Sequence, residues 1–148
     1  MKITLAIDQQ HSMEIGYSEL ADFIGFFNDN PSSADFYNHL STHPASQIRA
    51  EVAGKTCLPL ATLEKLAADA SIEVVMKVAG NKTAMKSFDT EQILNMIRRD
   101  VSVALEIARY QLPYIQPFIC EEVMEELSNH QDPNVRDAIK YEGDEEEE

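Results

Sequence analysis

The spacing of apolar positions changes sharply near residue 16. Ile3, Leu5 and Ile7 alternate with polar or small residues, the period of two expected of a β-strand. Residues 8–12, from Asp8 to His11 and Ser12, read as a turn. A single strand has no partner inside a helical protein. It is expected either to pair with a second copy or another chain, or to lie as an extended arm or a loosely ordered end. From Tyr17 the period becomes helical. Leu20, Phe23, Ile24 and Phe27 fall at i, i+3, i+4 and i+7, which predicts one buried helix face. Ser18, Glu19 and Asp22 give this helix an acidic first turn, favourable to its dipole. Residues 28–31 end it at Pro31, and Ser32 or Ser33 is the expected cap of a second helix lined by Phe36, Tyr37 and Leu40. Thr42, His43 and Pro44 then break the chain.

A pattern next returns along the chain. Leu40, His43, Ile48, Val52, Ala53 and Gly54 recur 26 residues later as Leu66, Asp69, Val74, Val78, Ala79 and Gly80. Leu127, His130, Val135, Arg136 and Ile139 repeat the first copy at an offset of 87 residues. Ile97, Asp100, Val103, Ile107 and Ala108 form a looser copy. Spacings of this size predict stacked helical units rather than one compact enzyme.

Each unit is expected to hold two helices. The first carries a stacked pair four residues apart: Ile48 and Val52, Val74 and Val78, Val103 and Ile107, or Val135 and Ile139. Ala53, Ala79 and Ala108 allow neighbouring helices to approach closely. Gly54 and Gly80 are expected to end two of these helices in a left-handed conformation. The second helices carry Leu60, Leu63 and Leu66; Ile93, Leu94 and Ile97; and Ile119, Val123 and Leu127. Thr90, ahead of Glu91 and Gln92, is the expected cap of the middle one. Pro113 and Pro117 mark the loop before the last. The predicted fold is therefore all-α: about four imperfect two-helix repeats, an α-solenoid over residues 16–141. A strand-like arm at residues 1–15 precedes it, and an acidic tail at 142–148 follows.

The unit Leu-x-x-Asp/His-x-x-x-x-Val-Arg-x-x-Val-Ala, followed by a short helix ending in Leu, resembles the leucine-rich-repeat-variant family. That family is close to the HEAT and armadillo repeats. The resemblance spans residues 40–141. Arg49 and Arg136 occupy the arginine position, whereas Val75 and Ala104 replace it in the middle units. The resemblance implies a right-handed superhelix of paired helices and no catalytic residue. Some members carry an iron–sulfur cysteine cluster ahead of the repeats. This chain has no cysteine before Cys57, so the feature does not transfer.

Charge narrows the functional classes. The net charge of −14 is uneven. Residues 1–55 hold 3 basic and 7 acidic side chains, 56–118 hold 7 of each, and 119–148 hold 2 and 12. Such a chain repels phosphate backbones, which disfavours direct nucleic-acid binding. The tail, Glu142 to Glu148, repels itself and is expected to stay solvated. The first apolar run meets Asp8 too early for a signal peptide. No stretch approaches the ~18–20 apolar residues of a membrane span. The expected location is cytoplasmic, with no membrane partner.

Candidate chemistry is sparse. Cys57 and Cys120 form no CxxC motif, so two free, buried thiols are expected rather than a disulfide or a metal site. His39 and His43 are four apart, but Pro44 follows directly and no HExxH glutamate lies between them. His43 shares its repeat position with Asp69 and His130, which points to capping or to a loop hydrogen bond. No GxSxG, P-loop or GxGxxG motif occurs, and Asp8, His11 and Ser12 lie too close together for a triad. No cofactor, metal or catalytic residue is expected.

Partner binding is the leading expectation. The second helices carry Glu64, Glu91, Glu121, Glu122, Glu125 and Glu126 at related positions. Equivalent helices in a solenoid align, so these acids form a ridge suited to a basic protein segment. Arg98 and Arg99 are a small basic spot expected to be solvated or ion-paired. Phe26 lies off the Leu20–Phe23–Phe27 face and, with the arm, is a candidate homodimer contact. The alternatives are a structural homo-oligomer, and a small-molecule sensor or enzyme on a helical scaffold.

Overall fold

A computed structural model describes residues 3–7 and 11–140. It is predominantly helical. Two short strands come first, β1 (Ile3–Ile7) and β2 (His11–Ile15). They pair antiparallel, with Ile3 opposite Ile15 and Ile7 opposite His11. The strand at residues 3–7 thus finds its partner within the chain. His11 and Ser12 belong to β2 rather than to a turn, and Asp8 lies outside the described residues. The alternation in fact resumes through Ser12, Met13, Glu14 and Ile15.

Ten α-helices follow among the described residues. They are α1 (Tyr17–Phe26), α2 (Ala34–Leu40), α3 (Ser46–Ala53), α4 (Leu60–Ala67), α5 (Ile72–Ala79), α6 (Lys82–Ser87), α7 (Thr90–Ile97), α8 (Val101–Glu106), α9 (Pro117–Ser128) and α10 (Pro133–Ala138). Most are about two turns long, too short to be stable alone in water. Their stability comes from packing. The first helices of the units form a row, α1 on α3, α3 on α5, α5 on α8 and α8 on α10. The second helices form another, α4 on α7 and α7 on α9. Contacts of α4 with α5, α7 with α8 and α9 with α10 join the rows.

The repeat positions are the core. Ile48, Val52, Val74, Val78, Val103, Ile107 and Val135 have no exposed surface. Ala53, Ala79 and Ala108 are equally buried, where a larger side chain would hold adjacent helices apart. Unit length varies for a visible reason. The extra helix α6 is inserted between α5 and α7, and α8 runs on through a π-helical turn (Ile107–Gln111) and a 3₁₀ turn (Leu112–Tyr114).

Several local expectations are corrected. Gly54 and Gly80 are right-handed, with φ of −75° and −76°. The chain turns there through i→i+3 bonds, from Lys55 N to Val52 O and from Asn81 N to Val78 O, both 2.9 Å. Asp89, not Thr90, caps α7, in a capping box with Gln92. Asn30 caps the 3₁₀ turn (Pro31–Ser33) ahead of α2, and neither Ser32 nor Ser33 caps the helix with its side chain. Phe23, Phe27 and Phe36 are 41%, 44% and 46% exposed, while Leu20, Ile24, Tyr37 and Leu40 are buried. The helix period placed the three phenylalanines inward, but among the described residues no helix precedes α1 to cover that side. Leu60 is likewise exposed.

Candidate functional site

The repeated polar position performs one local task in all four units. His43 Nδ1 accepts from Ala45 N (3.1 Å), Asp69 Oδ1 from Ser71 N (2.9 Å), Asp100 Oδ1 from Ser102 N (2.8 Å) and His130 Nδ1 from Asp132 N (3.1 Å). Each side chain accepts from the N–H two residues on, folding the chain into the next first helix. This explains why histidine and aspartate interchange here. Asp100 is held below the usual carboxylate range by the hydroxyl and N–H of Ser102.

The repeat arginine closes the same loop. Arg49 Nη1 donates to the carbonyls of His43 (2.7 Å) and Pro44 (3.0 Å). Arg136 Nη1 does the same to His130 and Gln131. Arg49 also forks onto Asp69 of the next unit, at 2.6 and 2.8 Å. That hydrogen-bonded pair keeps the Asp69 carboxyl below its ordinary range. In the second unit Val75 stands where the arginine would be, and Arg99 reaches back to the carbonyls of Ala67 and Asp69. Arg99 of the predicted basic spot is thus bonded back to the preceding unit. Grooves open along this edge of the stack. One is lined by Thr42, His43, Arg49, Lys65 and Asp69, and an equivalent one by Arg98, Arg99, Glu126, Asn129, His130 and Asp132.

The predicted acidic ridge divides into two kinds of residue. Glu64 accepts from Gln92 Nε2 (2.9 Å), and Glu126 takes a fork from Arg98 at 2.8 and 2.7 Å. Both bonds join successive second helices. The remaining members are exposed: Glu91 on α7, and Glu121, Glu122 and Glu125 on α9. They make no ion pair among the described residues. Phe118, 72% exposed, begins the same α9 face, at i, i+3, i+4 and i+7 with those three acids. Phe26, the other predicted contact, is 88% exposed at the end of α1.

His39 and His43 do not converge. Helix α2 ends at Leu40, His39 is exposed, and His43 is 1% exposed with Nδ1 already bonded. Burial pulls the His43 imidazole below the ordinary histidine range. Among the described residues its Nε2 has no hydrogen-bond partner, and its ring meets Tyr17 edge-on at 5.0 Å. Among the described residues no group of three His, Cys, Asp or Glu side chains is placed to hold a metal ion. No helix among them is long and apolar enough to cross a membrane. Cys57 and Cys120 form no disulfide, and both are half-buried rather than buried. Burial and the neighbouring Asp29 carboxylate push the Cys57 thiol up to about 11.

Three structural residues escaped the sequence reading. Buried Asn81 donates to the carbonyls of Ala53 and Lys55 (both 2.9 Å) and accepts from Thr83 N and Ala84 N. Lys55, one repeat earlier, reaches Phe27 O (3.1 Å) and lies over the Tyr37 ring. Asp29 accepts from the N–H groups of Thr56 and Cys57 and from the Thr56 hydroxyl. Those bonds overcome the effect of burial and lower its pKa. The available signal was a polar residue directly after each repeat glycine, Gly54 and Gly80.

Comparison of this chain with family models, curated proteins and solved structures returns no match.

Proposed function

We propose that this chain is a non-enzymatic, right-handed α-solenoid of the leucine-rich-repeat-variant type, and that it docks a basic segment of another protein. The carrying observation is the solvent face of α9. There Phe118, Glu121, Glu122 and Glu125 are exposed on one stripe, and the three carboxylates make no ion pair among the described residues. An apolar anchor beside unneutralised acids suits a cationic partner. The helix rows, the recurring arginine–carbonyl bonds and the inter-unit pairs support a rigid scaffold for that face.

The test is affinity capture with the purified chain at low and high salt, beside the triple variant Glu121→Lys, Glu122→Lys, Glu125→Lys. A basic protein retained at low salt, released at high salt and lost by the variant supports the reading. Capture unchanged by the triple reversal refutes it.

A further inference from the structure

We propose that the aromatic N-terminal end of the stack is the anchor for a basic, amphipathic helical segment of a partner protein. The inference rests on the docking reading above and gives that partner a second, apolar foothold.

Phe23 stacks on Phe27 with ring centroids 6.3 Å apart, and Phe27 meets the Phe36 edge at 6.2 Å. Each of these rings is more than two-fifths exposed. Phe26 adds the most exposed large apolar side chain of the described residues. With Phe26, three residues on from Phe23 along α1, these rings expose on the order of 400 Å² of aromatic surface. Phe36 also abuts buried Tyr37 at 5.7 Å, so the patch is built on the core rather than on a loop tip.

Charge determines what covers it. Between Lys2 and Arg49 the sequence holds six acidic residues and no lysine or arginine. Glu19, Asp22 and Phe26 lie at i, i+3 and i+7 on α1, and Asp35 directly precedes Phe36. Glu19, Asp22 and Asp35 are exposed and make no ion pair among the described residues. The adjacent cation, Lys55, is 8% exposed and held by Phe27 O and the Tyr37 ring. A second copy seated here would bring these acids against their own counterparts. Its patch also falls short of the ~800 Å² per partner typical of a stable interface. A partner helix with an apolar stripe flanked by lysine or arginine fills the aromatic surface and neutralises its rim.

The probe is a fluorescently labelled amphipathic Lys/Leu peptide, with a Glu/Leu peptide of the same apolar stripe as its control, titrated with the full chain. The Lys/Leu peptide should bind, weaken with salt and lose about tenfold or more in affinity with either Phe26→Ser or Asp22→Lys. Both side chains are exposed, so neither change threatens the fold. Equal binding of the Glu/Leu peptide overturns the proposal. So does a wild-type dimer in sedimentation that Phe26→Ser converts to monomer, since the occupant is then a second copy. Binding lost by Glu121→Lys, Glu122→Lys, Glu125→Lys but untouched by Phe26→Ser overturns this anchor while leaving the α9 docking face standing. No binding of the Lys/Leu peptide at low salt overturns both.

Discussion

Asn81 is the sharpest test of how the units are joined. Its amide N–H₂ satisfies two carbonyls of the preceding unit, and its oxygen caps α6. Asn81→Ala removes an N-cap worth about 1 kcal/mol. It also leaves the buried carbonyls of Ala53 and Lys55 each without that donor, at about 1–3 kcal/mol apiece. The expected loss is about 3–7 kcal/mol, a large part of a typical domain's stability of about 5–15 kcal/mol. Asn81→Asp separates the two contributions. It keeps the acceptor that caps α6 and replaces the donor with an oxygen facing two carbonyl oxygens. It should therefore cost at least as much as alanine. The assay is urea unfolding followed by far-ultraviolet circular dichroism, with the slope unchanged and the midpoint lowered. A loss below about 1 kcal/mol for alanine, or an aspartate variant as stable as wild type, would refute the argument that this side chain joins the units.

Two further predictions rest on titrating groups. Burial lowers the pKa of His43, so the unfolded chain binds the proton more readily. The stability that follows from neutral burial is complete above the ordinary value of 6.5. It falls as pH drops below that value and is fully lost below the depressed folded-state value. His43→Asn keeps an acceptor for Ala45 N and should flatten this part of the stability–pH curve; an unchanged slope in denaturant midpoints between neutral and mildly acid pH contradicts the assignment. Cys57, with its thiol pushed up to about 11, should alkylate at pH 8 about 100-fold more slowly than an unperturbed cysteine, because the thiolate is the reactive form. Asp29→Asn should raise the rate, and mass-spectrometric site mapping reads both outcomes.

The helical class and most of the core were legible in the chain. A period of 3.6 within each segment and the 26-residue return of Leu40, His43, Ile48 and Val52 located the first helices, because a helix too short to stand alone must bury the same face in every unit. The recurring spacing within the chain also placed one polar residue in each unit at the loop that His43, Asp69, Asp100 and His130 fold. Tertiary structure decided which surfaces remain open. Phe23 and Phe27 have the spacing of a core face, yet burial requires a neighbour on that side, and α1 stands at the end of the row. Glu64 and Glu126 look like their exposed companions in sequence, but α7 brings Gln92 and Arg98 against them. β1 found its partner because one further alternation, His11 to Ile15, lay close enough to fold back on it. Asn81 shows the same division. A polar residue after a helix-ending glycine is visible in the chain, but only the approach of the preceding unit gives its amide two carbonyls to hold.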